Sequence, residues 1–175
     1  MNSTKHISKA EIHVHLEATI SPDLCRKLAK RNKVSLSEDL FTGQYSYAWE
    51  DFYDFINKYD IITSVIHTPA DYEEVTYNYL KECAANNVIY VEAMISSTHA
   101  KLKGMTYHFF LEGVAEGAKR AESEFGIISK YIMNGIRHLG AESVQKTAEE
   151  VLNNPHKCLV GFGLAGDELH FPPKL

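Results

Sequence analysis

A chain of 175 residues, 45% of them apolar and 23% charged, has the composition of an ordinary globular domain and is long enough to bury a stable core. Its formal net charge of -5 excludes the strongly basic surface that proteins use to bind nucleic acid or anionic lipid. The longest apolar stretches are only as long as a β-strand, so we expect neither nucleic acid nor a membrane as a partner.

Strand patterns alternate with helix patterns along the chain. The first strand is followed by Ser21 and Pro22, which are typical of the cap and first turn of a helix. In chain order we predict a strand at 9–16, a helix at 23–33, an aromatic-rich amphipathic stretch at 48–66, a helix capped by Thr68 and running to about Asn86, a strand at 88–95, a helix at 106–124, a strand at 127–136, a helix at 141–152 and a strand at 157–162. This alternation predicts an α/β fold built of β/α units around a parallel sheet.

The cysteines and the first residues indicate a compartment. Cys25, Cys83 and Cys158 are odd in number, far apart and in no paired motif, which is typical of reduced thiols. The opening residues carry no apolar run that could form the core of a signal peptide. We therefore expect a cytoplasmic protein.

Two histidines, His13 and His15, end the first predicted strand. Residues two apart on a strand point to the same face, so both imidazoles can converge on one ion, and imidazole suits zinc. The pattern alone is weak, because a chain with nine histidines shows this spacing by chance about once in every two such sequences. Two half-buried histidines at a strand end are an equally good interpretation of the pair by itself.

Two longer motifs decide between these interpretations. Residues 9–17 read Lys-Ala-Glu-Ile-His-Val-His-Leu-Glu, and residues 160–168 read Val-Gly-Phe-Gly-Leu-Ala-Gly-Asp-Glu. They resemble the opening and fourth-strand motifs of the adenosine deaminase family of metal-dependent amidohydrolases. Glu92 on the second strand and Arg137-His138 at the end of the third also stand in the family's order. The resemblance covers essentially the whole chain.

The resemblance implies a TIM-type (β/α)8 barrel with its active site at the carboxyl ends of the strands. Residues 1–175 would be about the first four β/α units, the N-terminal half of that barrel domain. His13 and His15 would be zinc ligands, and Glu17 would contact the ribose hydroxyl of a nucleoside. Gly166 would bring its backbone against the purine ring, where a side chain would collide with the base.

Departures from the family pattern leave the substrate open. Ala18 stands where a glycine usually follows the acidic residue, and Met94 and Ile95 replace the Arg-Tyr often found after the second-strand Glu. Adenosine and adenine therefore both remain candidate substrates.

The glycines at 161, 163 and 166 also fit the dinucleotide-binding pattern G-x-G-x-x-G. That pattern requires a helix starting at the third glycine to meet the pyrophosphate. Residues 167–175 contain Pro172-Pro173 and no amphipathic period, so we expect no dinucleotide site.

The family chemistry is the hydrolysis of adenosine or adenine to inosine or hypoxanthine and ammonia, with Zn2+ activating water. Its third zinc histidine and proton-transferring glutamate lie in a His-Ala-Gly-Glu motif, and a later Asp-Asp pair completes the site. These 175 residues contain neither motif. Since a catalytic zinc site normally has three protein ligands, we expect an incomplete site and assign no catalytic residue.

Three interpretations stay open for such a chain. It is a truncated or split-gene fragment that needs a complementary C-terminal half or a self-dimer to cover its open sheet. Alternatively, it is an autonomous four-stranded protein with a metal-binding or interaction role, or it is one piece of an active purine deaminase.

The remaining polar residues receive structural interpretations. We interpret Glu92 as a hydrogen-bonding partner within a strand and His138 as a loop histidine. Asp167 and Glu168 would orient a turn. The aromatic stretch at 49–59 would serve packing, although the family resemblance implies that such a segment lies near the substrate entrance. Six further histidines are predicted to lie on the surface: His6, His67, His99, His108, His156 and His170.

Overall fold

The computed structural model describes residues 3–173, which form four parallel strands and six α-helices. The strands are β1 (Lys9–His15), β2 (Val88–Ile95), β3 (Ile128–Ile136) and β4 (Leu159–Ala165), and the helices are α1 (Pro22–Asn32), α2 (Phe52–Thr63), α3 (Pro69–Ala85), α4 (Ser97–Leu102), α5 (Tyr107–Phe125) and α6 (Ala141–Asn153). The strand order in the sheet is β1-β2-β3-β4, which confirms the predicted β/α units.

Side-chain caps fix the starts of the helices that the sequence predicts well. The hydroxyl of Ser21 accepts a hydrogen bond from the backbone of Leu24, and Pro22 opens α1. At α3, Thr68 and Asp71 form a reciprocal capping box, in which each side chain accepts from the other residue's backbone N–H.

At three places the observed elements differ from the prediction. The aromatic stretch at 48–66 is helical only over α2, because the Asp51 carboxylate caps the backbone of Asp54 and starts the helix there. Helix α4 follows β2 directly and was not predicted, since its six residues are too few to show a helical period. Strand β4 continues past its predicted end to Ala165, because its glycines, which have a low strand propensity, still pair with β3.

The main core lies between the sheet and its helices. Val91, Ala93 and Ile95 of β2 point toward this side and are buried. Helices α3 and α5 pack closely, with the rings of Tyr72 and Phe110 edge to face and 4.7 Å between centroids. These two helices therefore form the outer layer that supports the centre of the sheet.

The opposite face of the sheet and its β4 edge remain open. Within residues 3–173, β1 and β4 each pair with a neighbour on one side only. Ile12 lies on the inner face of the sheet, which points away from the helices, and is 63% exposed. Val160 and Phe162 lie on the outer, helix-bearing face of β4 and are 53% and 40% exposed. No helix in this part of the chain is both long and apolar enough to cross a membrane.

Candidate active site

A cavity of about 350 Å3 opens at the carboxyl ends of the strands. This volume suits a small-molecule site, and the carboxyl ends are where β/α barrels carry their chemistry. A larger cavity of about 750 Å3 lies at the opposite end, beside α5 and the start of β4, among surface residues of mixed charge. We assign the candidate site to the smaller cavity, because His13, His15 and Gly166 all line it.

A bulge in β1 presents the histidine pair to this cavity. Glu11 is in register with Val91 and Val14 with Ala93, so β1 uses three residues where β2 uses two. Glu11 and Val14 consequently both face the helices, where the Glu11 carboxylate accepts a hydrogen bond of 2.8 Å from the Tyr79 hydroxyl. The extra residue lies between them and leaves the histidines on the inner face.

The two imidazoles are neighbours, with ring centroids 6.5 Å apart and ring planes at 71°. His13 is exposed and His15 is half-buried. Burial, together with the positive charge that His13 can carry, lowers the pKa of His15 below its ordinary value. The lowered pKa favours the neutral imidazole, which is the form that binds a metal ion.

The side chains at the site are of the type that binds zinc, but they are too few to complete a catalytic zinc site. Two imidazoles that face one cavity are ligands that zinc prefers. Among residues 3–173, however, no three side chains from His, Cys, Asp and Glu are grouped so that they could hold an ion. His13 and His15 thus fit two of the three protein ligands of a catalytic zinc site.

Glu17 lies beneath the cavity rather than in its lining. Its side chain is fully buried, and its carboxylate accepts hydrogen bonds from the backbone of Ser96 at 3.2 Å and from the Tyr59 hydroxyl at 3.3 Å. Burial raises the pKa of Glu17, against the opposing effect of the positive charge of nearby His99 and of its hydrogen bonds. Both oxygens are therefore engaged within the protein, and the contact with ribose stays a prediction.

Gly166 ends β4 in a conformation that favours glycine, with φ +98°. A Cβ at this position would lie 2.5 Å from Nδ1 of His138, so the side chain that it excludes would first meet that imidazole. The contact with a purine remains a prediction. Within the described residues, no helix begins at Gly166.

The sequence predicts His99 on the surface, and this prediction is wrong. His99 lines the cavity, and its side chain is only 16% exposed. Its Nε2 lies 3.2 Å from the Asp60 carboxylate. Burial lowers the pKa of His99, but the Asp60 hydrogen bond and the negative charge of Glu17 outweigh it and raise this pKa. His99 lies on helix α4. Because the sequence did not predict this helix, it gave no reason to place His99 at the cavity.

Of the other histidines predicted on the surface, His67 and His156 are half-buried, and the rest are exposed. The ring of His156 lies against Cys158, with 2.8 Å between Nδ1 and Sγ. Glu92 accepts a hydrogen bond of 2.7 Å from Tyr90, in keeping with its predicted structural role.

Two further features of the cavity come from α2 and β3. Phe52, Phe55 and Tyr59 of α2 line one wall, so this aromatic helix does more than pack. Asn134 of β3 also lines the cavity and is 1% exposed. A single asparagine inside a strand gave no local signal of a site.

Comparison with known proteins identifies the family. The sequence profile of the adenosine deaminase family matches residues 8–175. Among curated relatives, the adenine deaminase of Sinorhizobium fredii is 39% identical and that of Agrobacterium fabrum 40% identical, each over 165 residues. Each alignment covers 94% of this chain and 50% of the relative, so the chain spans about half the length of the curated relatives it matches.

Solved structures place the fold. An adenine deaminase from Arthrobacter aurescens superposes with a TM-score of 0.81 at 28% identity, covering 94% of this chain and 50% of that protein. An amidohydrolase from Burkholderia ambifaria with bound Zn superposes with a TM-score of 0.85 at 21% identity, covering 97% and 47%. The sheet and helices are therefore part of a TIM-type barrel, and the chain belongs to the adenosine deaminase family, of which it presents the N-terminal half.

Proposed function

We propose that this chain is the N-terminal part of a zinc-dependent purine deaminase. The enzyme hydrolyses adenine to hypoxanthine and ammonia, or adenosine to inosine and ammonia. The observation that carries the proposal is that the motif residues His13, His15 and Gly166, from opposite ends of the sequence, line one cavity. The adenine deaminases at 39% and 40% identity favour the free base as substrate. The burial of Glu17 supports the same choice, because both of its carboxylate oxygens already accept hydrogen bonds within the protein.

The residues of this chain have distinct roles in that function. His13 and His15 would hold zinc, as the bound Zn of the Burkholderia ambifaria protein suggests for this fold. Zinc supplies Lewis acidity, which lowers the pKa of a water molecule. Burial lowers the pKa of His15 and so favours the neutral form, whose lone pair can bind the metal. Gly166 lets a flat ring approach the end of β4, and the aromatic wall of α2 excludes water from the opposite side.

We further propose that these 175 residues do not catalyse the reaction by themselves. They supply two zinc ligands and contain no His-Ala-Gly-Glu sequence, so a third ligand and the proton-transferring glutamate must lie outside them. The exposed side chains of Val160 and Phe162 on β4 fit a covering polypeptide, either a complementary C-terminal half or a second copy of the chain. A metal-binding or interaction role without catalysis is the second candidate, and the incomplete donor set favours it for the isolated chain.

Metal binding tests the ligand assignment. We expect the purified chain to bind zinc and the variant H13A/H15A to bind it at least about tenfold more weakly, since even indirect supports of a metal site are worth 10- to 100-fold. The matched control is H108A, an exposed histidine on α5. An affinity for zinc that is equal in H13A/H15A and in the unaltered chain would overturn the assignment.

Purine binding and turnover test the function itself. Adenine, titrated to millimolar concentration into the 15N-labelled, zinc-loaded chain, should shift the backbone amide signals of His15 and Gly166. The absence of shifts would overturn the purine function for this chain. Conversion of adenine or adenosine by the chain alone, followed by ultraviolet absorbance, would overturn its proposed incompleteness.

A further inference from the structure

Asn134 carries a buried carboxamide that no group in residues 3–173 satisfies. The side chain is 1% exposed, and neither its Oδ1 nor its Nδ2 has a hydrogen-bond partner within the described chain. Leaving such a group unpaired is costly, and buried amides in folded proteins are almost always bonded. Asn134 also lines the candidate site, so a ligand of that cavity is a group that could satisfy its donor and acceptor.

The sheet register places Asn134 across the cavity from the histidines. His15 is in register with Met94, and Met94 with Ile132 on β3. Asn134 lies two residues beyond Ile132, toward the carboxyl end of β3 and on the same face. Since neighbouring strands are about 4.8 Å apart, the β3 backbone is two strands, or about 10 Å, across the sheet from β1. A ligand that reaches both groups must span the cavity floor.

The surroundings of Asn134 select for a flat ligand with a polar edge. Ile132 and Ile136 flank it on the same face of β3, and Phe55 lines the wall of the same cavity. A sugar carries hydroxyl groups on all sides and would lose hydration against these apolar groups. A heteroaromatic ring buries its faces against them and offers hydrogen-bonding atoms only at its rim.

We propose that Asn134 is a specificity-determining residue that pairs with the edge of the purine base, an inference that rests on the proposed function. A carboxamide presents an acceptor beside a donor, which matches the adjacent amino group and N7 of adenine in a two-bond pair. In hypoxanthine this edge presents two acceptors, so only the Nδ2 donor of Asn134 finds a partner. The chain therefore binds adenine more tightly than hypoxanthine, and Asn134 is the cause.

Side-chain amide signals in 15N spectra report on Asn134 directly, and N134D, which lacks the amide, assigns them. Millimolar adenine should shift these signals together with the backbone amides of His15 and Gly166. The side-chain amide of Asn78 on α3, which donates to the Glu74 carbonyl, is the control and should not move. D-ribose at the same concentration should shift none of them.

Affinity and stability separate binding from a structural role. We expect N134L, which is similar in size and apolar, to bind adenine about tenfold or more weakly, since a good two-bond pair to a base discriminates by at least that order. Its unfolding midpoint should stay unchanged or rise, because the amide bonds to nothing within the described protein. Adenine should bind the unaltered chain more tightly than hypoxanthine, and N134L should bind the two equally.

Each other result has its own meaning. Shifts at His15 and Gly166 without a shift of the Asn134 side chain would overturn this inference and leave the purine site standing. A shift of Asn134 caused by ribose would overturn the assignment to the base. A lower unfolding midpoint of N134L with unchanged adenine affinity would make Asn134 structural. No shift anywhere would overturn the proposed function and the inference with it.

Discussion

Gly163 on β4 leaves free the space that the carboxamide oxygen of Asn134 occupies on the neighbouring strand. The two residues are partners in the register of β3 and β4, and a Cβ on Gly163 would lie 2.5 Å from that oxygen. We expect G163A to displace the carboxamide and to weaken adenine binding about tenfold, as measured by calorimetric titration. Its free energy of unfolding should change by less than about 1 kcal/mol, because the displaced group is the flexible end of a side chain.

The same strand offers a matched control for this prediction. Gly161 faces the same side two residues earlier, and a Cβ there would meet Ile132 at 3.5 Å, an ordinary contact. G161A should therefore bind adenine as the unaltered chain does. Equal losses of affinity in G161A and G163A would show that added bulk on β4, and not the position of Asn134, decides binding.

The sequence was informative where local patterns carry the structure. Alternation and β-branched runs predicted the four parallel strands, and the spacing of His13 and His15 predicted their common face. Contacts between residues on different strands gave no comparable pattern in the sequence. Asn134 faces the cavity only because the register of β3 sets it there, and Gly163 matters only through that neighbour. The β1 bulge belongs to the same class, since it is defined by pairing with β2.

The position of Gly166 combines backbone strain with a close contact, and two substitutions separate them. Gly140 has a similar φ of +90° and no atom within 4 Å of a built Cβ, so G140A measures the strain alone, about 1–3 kcal/mol. G166A should cost more, because its Cβ would also approach Nδ1 of His138. In the H138A background, the cost of G166A should fall to that of G140A in urea unfolding. A cost that is the same with and without the His138 ring would contradict this explanation.

Asp71 makes the free energy of unfolding depend on pH. Burial by itself raises the pKa of Asp71, but hydrogen bonds from the His67 backbone, Arg31, Asn32 and Thr68 outweigh it and hold this pKa below its ordinary value. A carboxyl whose pKa is lowered in the folded state stabilises that state above the unfolded pKa of about 3.9. This contribution is lost as the pH falls through the lower, folded value.

The variant D71N isolates that contribution. At pH 7 it should unfold with about 1–3 kcal/mol less free energy than the unaltered chain, because it loses the charged hydrogen bonds. The difference between the two should shrink as the pH falls below about 4, when followed by urea unfolding at several pH values. D39N changes an exposed aspartate and should stay within about 0.5 kcal/mol throughout. A difference between D71N and the unaltered chain that does not vary with pH would contradict the assignment.

Helices α3 and α5 approach closely at two glycines of α5. Replacing either glycine by alanine should destabilise the chain, although the same replacement usually stabilises a helix. In an exposed helix, replacing glycine by alanine stabilises by about 1 kcal/mol. A Cβ on Gly117 would lie 2.5 Å from the Glu73 carbonyl oxygen, and one on Gly113 would overlap the Pro69 carbonyl. Because backbone cannot move aside as a side chain can, we expect G113A and G117A each to destabilise the chain by about 2 kcal/mol or more.

Thermal and urea unfolding of G113A and G117A test this prediction, because they show whether the free energy of unfolding falls or rises. E116A lies on the exposed side of α5 between the two glycines and should leave the free energy of unfolding within about 0.5 kcal/mol of its original value. A stabilised G113A or G117A would mean that α3 and α5 do not approach as closely as the structure shows. A loss confined to the glycine variants instead shows that the close approach of the two helices stabilises the chain.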